Sequence, residues 1–467
     1  MSRRALILAL ACGCALVAGA CPGREARHPN LLFVAIDTLR ADRLGCQGNP
    51  RGLTPNIDAL ARGGLRFDEA RAHAPWTLPS FATIFSGLLP PQHGAGGYAD
   101  HYFGLRAQTR TWPECFAAAG YRTAAIVNVD FLTADFGVTQ GFETLDARFT
   151  EDNARGRDAR ATTDAALAQL AQLAQKHSAP LALFVHYFDA HAEYRPPAEF
   201  RERFADPRDR ASDAFRFGSR EQISAWRSGS AAPDPDGVAR AEKLYDGEVA
   251  YVDAQIGRLL EGLRAAGLAR DTLVVLTADH GEEFLDHGGV EHGHSLHEEL
   301  LHVPLILSWP GEIAPAVETR AVGLVGLART LCRLCAVEPD PGFSKLDLLR
   351  APEAQTELEA GFAFGNFWGA PLTALREDGW CWISRPVKGA KDQVLLYDLR
   401  ADPHEQHELL AQHPEQAARL SARVEELRAR AQRENWRNGP PAGLSAETLQ
   451  RIRDTGYGGE IRKDERK

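Results

Sequence analysis

Five short, continuous apolar runs constrain this chain most: residues 31–36 (Leu-Leu-Phe-Val-Ala-Ile), 123–127, 181–185, 272–277 and 303–307. None alternates apolar with polar residues, as a strand with one wet face does. Such runs suit strands covered on both faces, which is the situation of a parallel sheet between layers of helices. Helical patterns lie between them. Residues 161–175 are rich in Ala, Leu and Gln, and in 244–263 the residues Leu244, Val249, Val252, Ile256, Leu259 and Leu263 recur at helical spacing. Alternating strands and helices predict an α/β fold with a mostly parallel sheet.

The texture changes along the chain. Residues 201–240 are charged, carry scattered Pro and Gly, and read as a surface insertion in a catalytic domain spanning 28–345. From 346 to 467 short strand-like pieces at 379–384 and 393–397, a charged helix near 415–433 and a short helical pattern at 445–453 predict a smaller α+β subdomain with a tail. At the other end, Arg3 and Arg4 precede an apolar run from Ala5 to Ala20, so residues 1–21 read as an export signal or a short membrane anchor. Val17-Ala18-Gly19-Ala20-Cys21 is similar to a bacterial lipoprotein cleavage site, which predicts a periplasmic or envelope protein held to a membrane through Cys21. Beyond that segment the cysteines Cys46, Cys115, Cys332, Cys335 and Cys381 are odd in number and sparse, which is no disulfide framework; Cys332 and Cys335 read as small buried hydrophobes. The formal charge of -10 is mild for 467 residues and argues against nucleic acid as the partner.

Ligands of open α/β sheets bind outside the carboxyl ends of the strands. Asp37 follows the first run, and Asp279-His280-Gly281 follows the fourth, so two carboxylates and an imidazole are candidates to hold a divalent cation. Thr77 precedes Pro79 and a helical run, where its hydroxyl faces free backbone N–H groups and the positive end of the helix dipole. That place suits an anionic ester and an alkoxide nucleophile, although it is also an ordinary position for a helix cap.

Taken in order, these pieces resemble the sulfatase family. Pro29-Asn30 through Asp37-Thr38-Leu39-Arg40 is similar to its opening strand, Thr54-Pro55-Asn56 to its next hallmark, and Thr77-Leu78-Pro79-Ser80 to its nucleophile motif. His186 through His191, Tyr245 through Gly257, Thr277 through Glu282, His292 through Glu298, and Leu396 through Glu405 continue the match over about 29–455. The resemblance implies Asp37, Thr77, Asp279 and His280 as ligands of one metal, Thr77, His191 and His294 as catalytic groups, and Asn128 and His292 as substrate contacts. Imidazole at position 280, where many calcium-using members carry Asn, shifts the expected ion toward Mn2+ or Zn2+ from Ca2+. The His-rich run 287–302, with Asp189 and His191, is a candidate for a second metal.

Three departures shape the expected chemistry. The family nucleophile is Cys or Ser within Cys/Ser-x-Pro-Ser-Arg, oxidised to formylglycine; this chain has Thr77, for which no formylglycine is expected. The arginine of that motif is Phe81, and Ile126-Val127-Asn128 stands near the family's Lys-x-His segment. A threonyl sulfate lacks the carbon–oxygen exit of a hydrated aldehyde, whereas a threonyl phosphate is open to in-line attack by water at phosphorus. The sequence therefore predicts an anionic-ester hydrolase favouring phosphoester or phosphonate, with an envelope glycan or lipid as substrate. The alternatives are a sulfuric ester hydrolase working without formylglycine, and a silent binding protein with the same fold.

Overall fold

The computed structural model describes residues 28–98, 101–147, 156–175, 179–204, 220–227, 229–351, 359–365, 371–387, 391–434, 436–455 and 457. The export segment and Cys21 lie outside the described residues. All five apolar runs are strands of one eight-stranded sheet, in the order Ala316–Gly323, Leu65–Arg71, Leu305–Ser308, Thr272–Ala278, Asn30–Ile36, Leu181–Tyr187, Arg122–Ile126, Thr144–Asp146. Asn30–Ile36 lies at the middle and pairs in parallel with both neighbours. Its residues 31–36 are each no more than 1% exposed, which accounts for the unbroken apolar run. Leu305–Ser308 is the exception to the parallel expectation, running antiparallel to both neighbours.

Helices cover the sheet. The long helix Pro235–Ala265 starts at Asp234, whose carboxylate accepts from the N–H groups of Asp236 and Gly237, and Pro235 supplies the fixed first turn. It buries Leu244, Val249, Val252, Ile256, Leu259 and Leu263 against the core, as their spacing predicts, and packs beside Ala159–Gln175 and Ala198–Phe204. Asp253 on this helix caps another, accepting from the N–H groups of Asn56 and Ile57. Of the segment read as an insertion, residues 198–204 and 220–227 are helices. The five described cysteines form no disulfide, and four are buried. Among the described residues no helix is long and apolar enough to cross a membrane.

The smaller subdomain is a four-stranded antiparallel sheet, Phe362–Gly365, Leu372–Glu377, Trp380–Arg385 and Gln393–Asp398, with the helix Pro414–Arg433 against it. A buried ionic knot docks it on the catalytic domain. Arg376 Nη2 donates to Glu405 Oε1 at 2.7 Å and to Leu296 O at 2.9 Å, while His297 Nδ1 lies 2.8 Å from Glu405 Oε2. Arg376 holds the Glu405 carboxyl well below the usual range against the cost of its burial. Removing the guanidinium leaves an uncompensated buried charge, so Arg376→Ala should lower stability by about 3–5 kcal/mol. Arg400→Ala, which removes the exposed pair with Asp398, should cost under about 1 kcal/mol. Urea unfolding midpoints of the two variants check the contrast.

Candidate functional site

Parallel register builds the site. Ile36 lies opposite Ala278 on one side and Tyr187 on the other. The next residues, Asp37 and Asp279, therefore leave neighbouring strands side by side at the carboxyl rim. His186, on the third strand, turns Nε2 to Asp37 Oδ2 at 3.1 Å. His280 directs Nδ1 to the Gly281 carbonyl at 2.9 Å. A carbonyl only accepts, so a proton sits on Nδ1 and Nε2 faces the acids. That Nε2 lies 3.4 Å from Asp279 Oδ2 and 3.7 Å from Asp37 Oδ1. Glycine is required at 281, because a Cβ there would collide with the Glu299 carbonyl oxygen.

Thr77 reaches this cluster from another direction. Trp76 is extended, and Thr77 opens the helix Thr77–Ser86. Ser80 Oγ donates to Asp279 O at 2.6 Å and ties the first turn of this helix to the strand end. The Thr77 hydroxyl then lies 3.4 Å from His280 Nε2. Asp37, Thr77, Asp279 and His280 are fully buried and converge as expected from the sequence.

Their electrostatics point to a missing positive charge. Burial pushes Asp37 up to about 7, with His280 and the Thr77 hydroxyl pulling it back. Burial, then the neighbouring charge of Asp37, push Asp279 up to about 7. Asp37 Oδ1 and both Asp279 carboxylate oxygens are buried without a hydrogen-bond partner. One ligand atom from each of Asp37, Asp279 and His280 lies within 4.8 Å of the others. Two carboxylates and an imidazole at this spacing fit a divalent cation.

A second ring of groups faces Thr77. His191 and His292 stand 4.9 Å apart between ring centres. The Nε2 atoms of both lie 3.1 Å from the hydroxyl of Tyr457, which is itself 2.6 Å from Thr77 Oγ1. His292 Nδ1 contacts Glu282 Oε1 at 2.8 Å, and Tyr194 donates to the other oxygen of that carboxylate at 2.8 Å. The ring is thereby oriented with Nε2 toward the threonine.

Two expected site residues are placed elsewhere. His294 pairs through Nε2 with Glu283 at 2.6 Å on the hairpin behind the site. Asn128 is buried at the sheet edge, where its amide donates to Thr162 Oγ1 and His186 O and accepts from Arg157; its bonds serve the scaffold. The residues read as a second metal site divide. Asp189 accepts from Ala159 N at a helix start, 2.8 Å, and His191 faces Tyr457. His287 and His297 pair with Glu299 and Glu405, and one ligand atom from each of His287, His297 and Glu405 lies within 4.8 Å of the others. Conversely, His186, Glu282 and Tyr457 escaped the sequence reading as site residues. His186 was recoverable by aligning the buried strands in register. Glu282 stood in the quoted motif without a role. Nothing local marks Tyr457.

Without a cation, the two aspartates link stability to pH. Their folded pKa values lie above the ordinary carboxylate value, so the folded state binds more protons between about pH 4 and 7. Their contribution is greatest at low pH and is lost as pH rises through about 7. Metal-free protein should therefore lose melting temperature across this window. The loss should shrink in Asp37→Asn/Asp279→Asn and be reversed by Mn2+ or Zn2+ above pH 7 in the unaltered chain only. Thermal unfolding against pH, with and without cation, measures this.

Comparison with known proteins identifies the family. The profile of the family described as Sulfatase matches residues 29–337. The chain is 25% identical over 430 residues to the uncharacterized sulfatase YidJ of Escherichia coli (strain K12), covering 82% of this chain and 83% of that one. It is 28% identical over 452 residues to arylsulfatase A of Homo sapiens, covering 87% and 86%. Among solved structures, the phosphonate monoester hydrolase of Agrobacterium radiobacter superposes with a TM-score of 0.66 at 22% identity, covering 86% of this chain and 96% of that one. A structure solved in complex with its substrate D-glucosamine-2-N,6-O-disulfate superposes with a TM-score of 0.70 at 18% identity, covering 88% and 99%. The family generally uses a divalent metal. The chain thus belongs to the sulfatase family, ester hydrolases of the alkaline phosphatase superfamily.

Proposed function

We propose that this protein is an exported, divalent-cation-dependent hydrolase of anionic esters in which Thr77 is the nucleophile and phosphorus esters are favoured over sulfate esters. The observation that carries this reading is the Thr77 hydroxyl. It is buried at a helix start, 3.4 Å from the imidazole that shares its neighbourhood with two orphaned carboxylates.

Asp37, Asp279, His280 and the Thr77 oxygen would hold the cation. When bound, it would lower the pKa of the threonine hydroxyl and neutralise charge in the transition state. The protein supplies the rest. The first turn of the helix Thr77–Ser86 directs its open N–H groups toward an anionic group beside Thr77. Thr77 gives its hydroxyl proton to water before the ester binds, and Oγ1 attacks the phosphorus as the alkoxide. The bond to the ester oxygen breaks, and that oxygen needs a proton to leave as an alcohol. His292, held by Glu282, and His191 direct Nε2 at this position and are the groups placed to deliver it. Water then attacks the threonyl ester at phosphorus, releases phosphate or phosphonate and returns the hydroxyl. His191 and His292 thus take the part expected from sequence of His191 and His294.

The substrates of relatives and structural neighbours guide the class of leaving group. One structural neighbour binds a sulfated glucosamine, and a relative from Rhizobium meliloti (strain 1021) is a choline-sulfatase. Sugar and small polar alcohols are therefore the first to test, and an envelope glycan or lipid follows from the export signal read in residues 1–21. Purified protein with Mn2+, Zn2+ or Ca2+ should turn over aryl phosphodiesters or phosphonate monoesters faster than aryl sulfates. Thr77→Ala should reduce kcat at least about a thousandfold, as expected for a lost nucleophile. His292→Ala should reduce it by about 10²–10⁴. Turnover of sulfate alone would overturn the preference for phosphorus, and undiminished turnover by Thr77→Ala would remove the nucleophile.

A further inference from the structure

The C-terminal segment returns across the catalytic face. Gly439 N donates to Gly94 O at 2.7 Å, Gly104 N to Pro440 O at 2.9 Å, and Ala442 N to Tyr102 O at 2.8 Å. The helix Ala446–Asp454 follows, begun by Ser445, whose hydroxyl accepts from Thr448 N. Arg451 Nη2 pins it to buried Asp130 at 2.8 Å. The chain then carries Tyr457 into the site, with its carbonyl accepting from Tyr102 Oη at 2.8 Å. The Tyr457 ring is 2% exposed, stands edge-on to Phe131 and lies beside Trp76, His191 and His292.

Its hydroxyl touches the three groups assigned above to the reaction: Thr77 at 2.6 Å and the Nε2 atoms of His191 and His292 at 3.1 Å. A group about to react with Thr77 must place its phosphorus or sulfur about 3–3.5 Å from the same oxygen. Its own oxygens must then reach the two imidazoles. The phenol and that group exclude one another. We propose that residues 437–457 form a built-in competitive plug, with the Tyr457 hydroxyl in the seat of the transferred group and its ring in the path of the leaving alcohol. The proposal rests on the site assigned under the proposed function. Substrate binds only to the fraction of molecules in which the segment has withdrawn, so apparent affinity falls by that fraction. The segment is held by backbone hydrogen bonds at 439–442, by the ion pair of Arg451 with Asp130 and by the contacts of Tyr457.

The test uses the full chain with Mn2+ and inorganic phosphate as probe, comparing the unaltered protein with Tyr457→Ala, Tyr457→Phe and Arg451→Ala. Calorimetric titration should show phosphate binding at least about tenfold more tightly to Tyr457→Ala and to Arg451→Ala, with Tyr457→Phe between. With an aryl phosphonate monoester, KM should fall in the same order while kcat is kept or raised. Equal phosphate affinity across all four proteins overturns the plug. So does a large loss of kcat in Tyr457→Phe at unchanged affinity, which would make the phenol a catalytic residue. Tighter phosphate binding in the variants without turnover of any ester supports the plug while removing the hydrolase reading. The anchor variant Arg451→Ala leaves every group in the site intact, so it separates release of the segment from damage to the pocket.

Discussion

Parallel pairing of the strands Asn30–Ile36 and Thr272–Ala278 brings two aspartates out of the sheet together, and burial denies them water. Two unit charges 4–5 Å apart repel by roughly 3–4 kcal/mol at an effective dielectric of 20. That repulsion, with the desolvation of each group, is a standing cost built into the centre of the fold. The neighbours reduce it without removing it. His186 supports one oxygen of Asp37, while His280 turns Nε2 toward both acids. A fold holding such a pair at the end of its most buried strands is complementary to a small, highly charged cation.

The outer parts of the molecule hold this centre in place. Ser80 joins the helix that carries Thr77 to the carbonyl of Asp279, so nucleophile and carboxylate move together. Arg40 donates to Glu282 O and to Asp286, fixing the segment that orients His292. The smaller subdomain grips the chain just beyond it through Glu405 and His297. The site is therefore assembled from the sheet, one helix and the subdomain interface, each fixed by hydrogen bonds that end in buried polar atoms.

Much of this was legible from residues alone. The five apolar runs marked the strands because both faces are covered. The acids at their ends marked the site because side chains past a parallel strand share one rim. Helices at 159–175, 235–265, 414–433 and 446–454 appeared where periodicity placed them. What could not be read was pairing across space. His292 and His294 lie two positions apart on one short segment, and only the positions of Glu282 and Glu283 decide which faces Thr77. Asn128 is polar and beside a strand end, but whether its amide meets a ligand or Thr162 depends on a helix 34 residues away. Tyr457 arrives from 380 residues beyond Thr77.

Phe81 follows Thr77 by four residues on the same helix. Its ring is fully buried, 5.7 Å from Phe184 and 5.3 Å from His186. A charged side chain placed there would be desolvated among aromatic faces, so this wall leaves the neutralisation of the two aspartates to groups on their other sides.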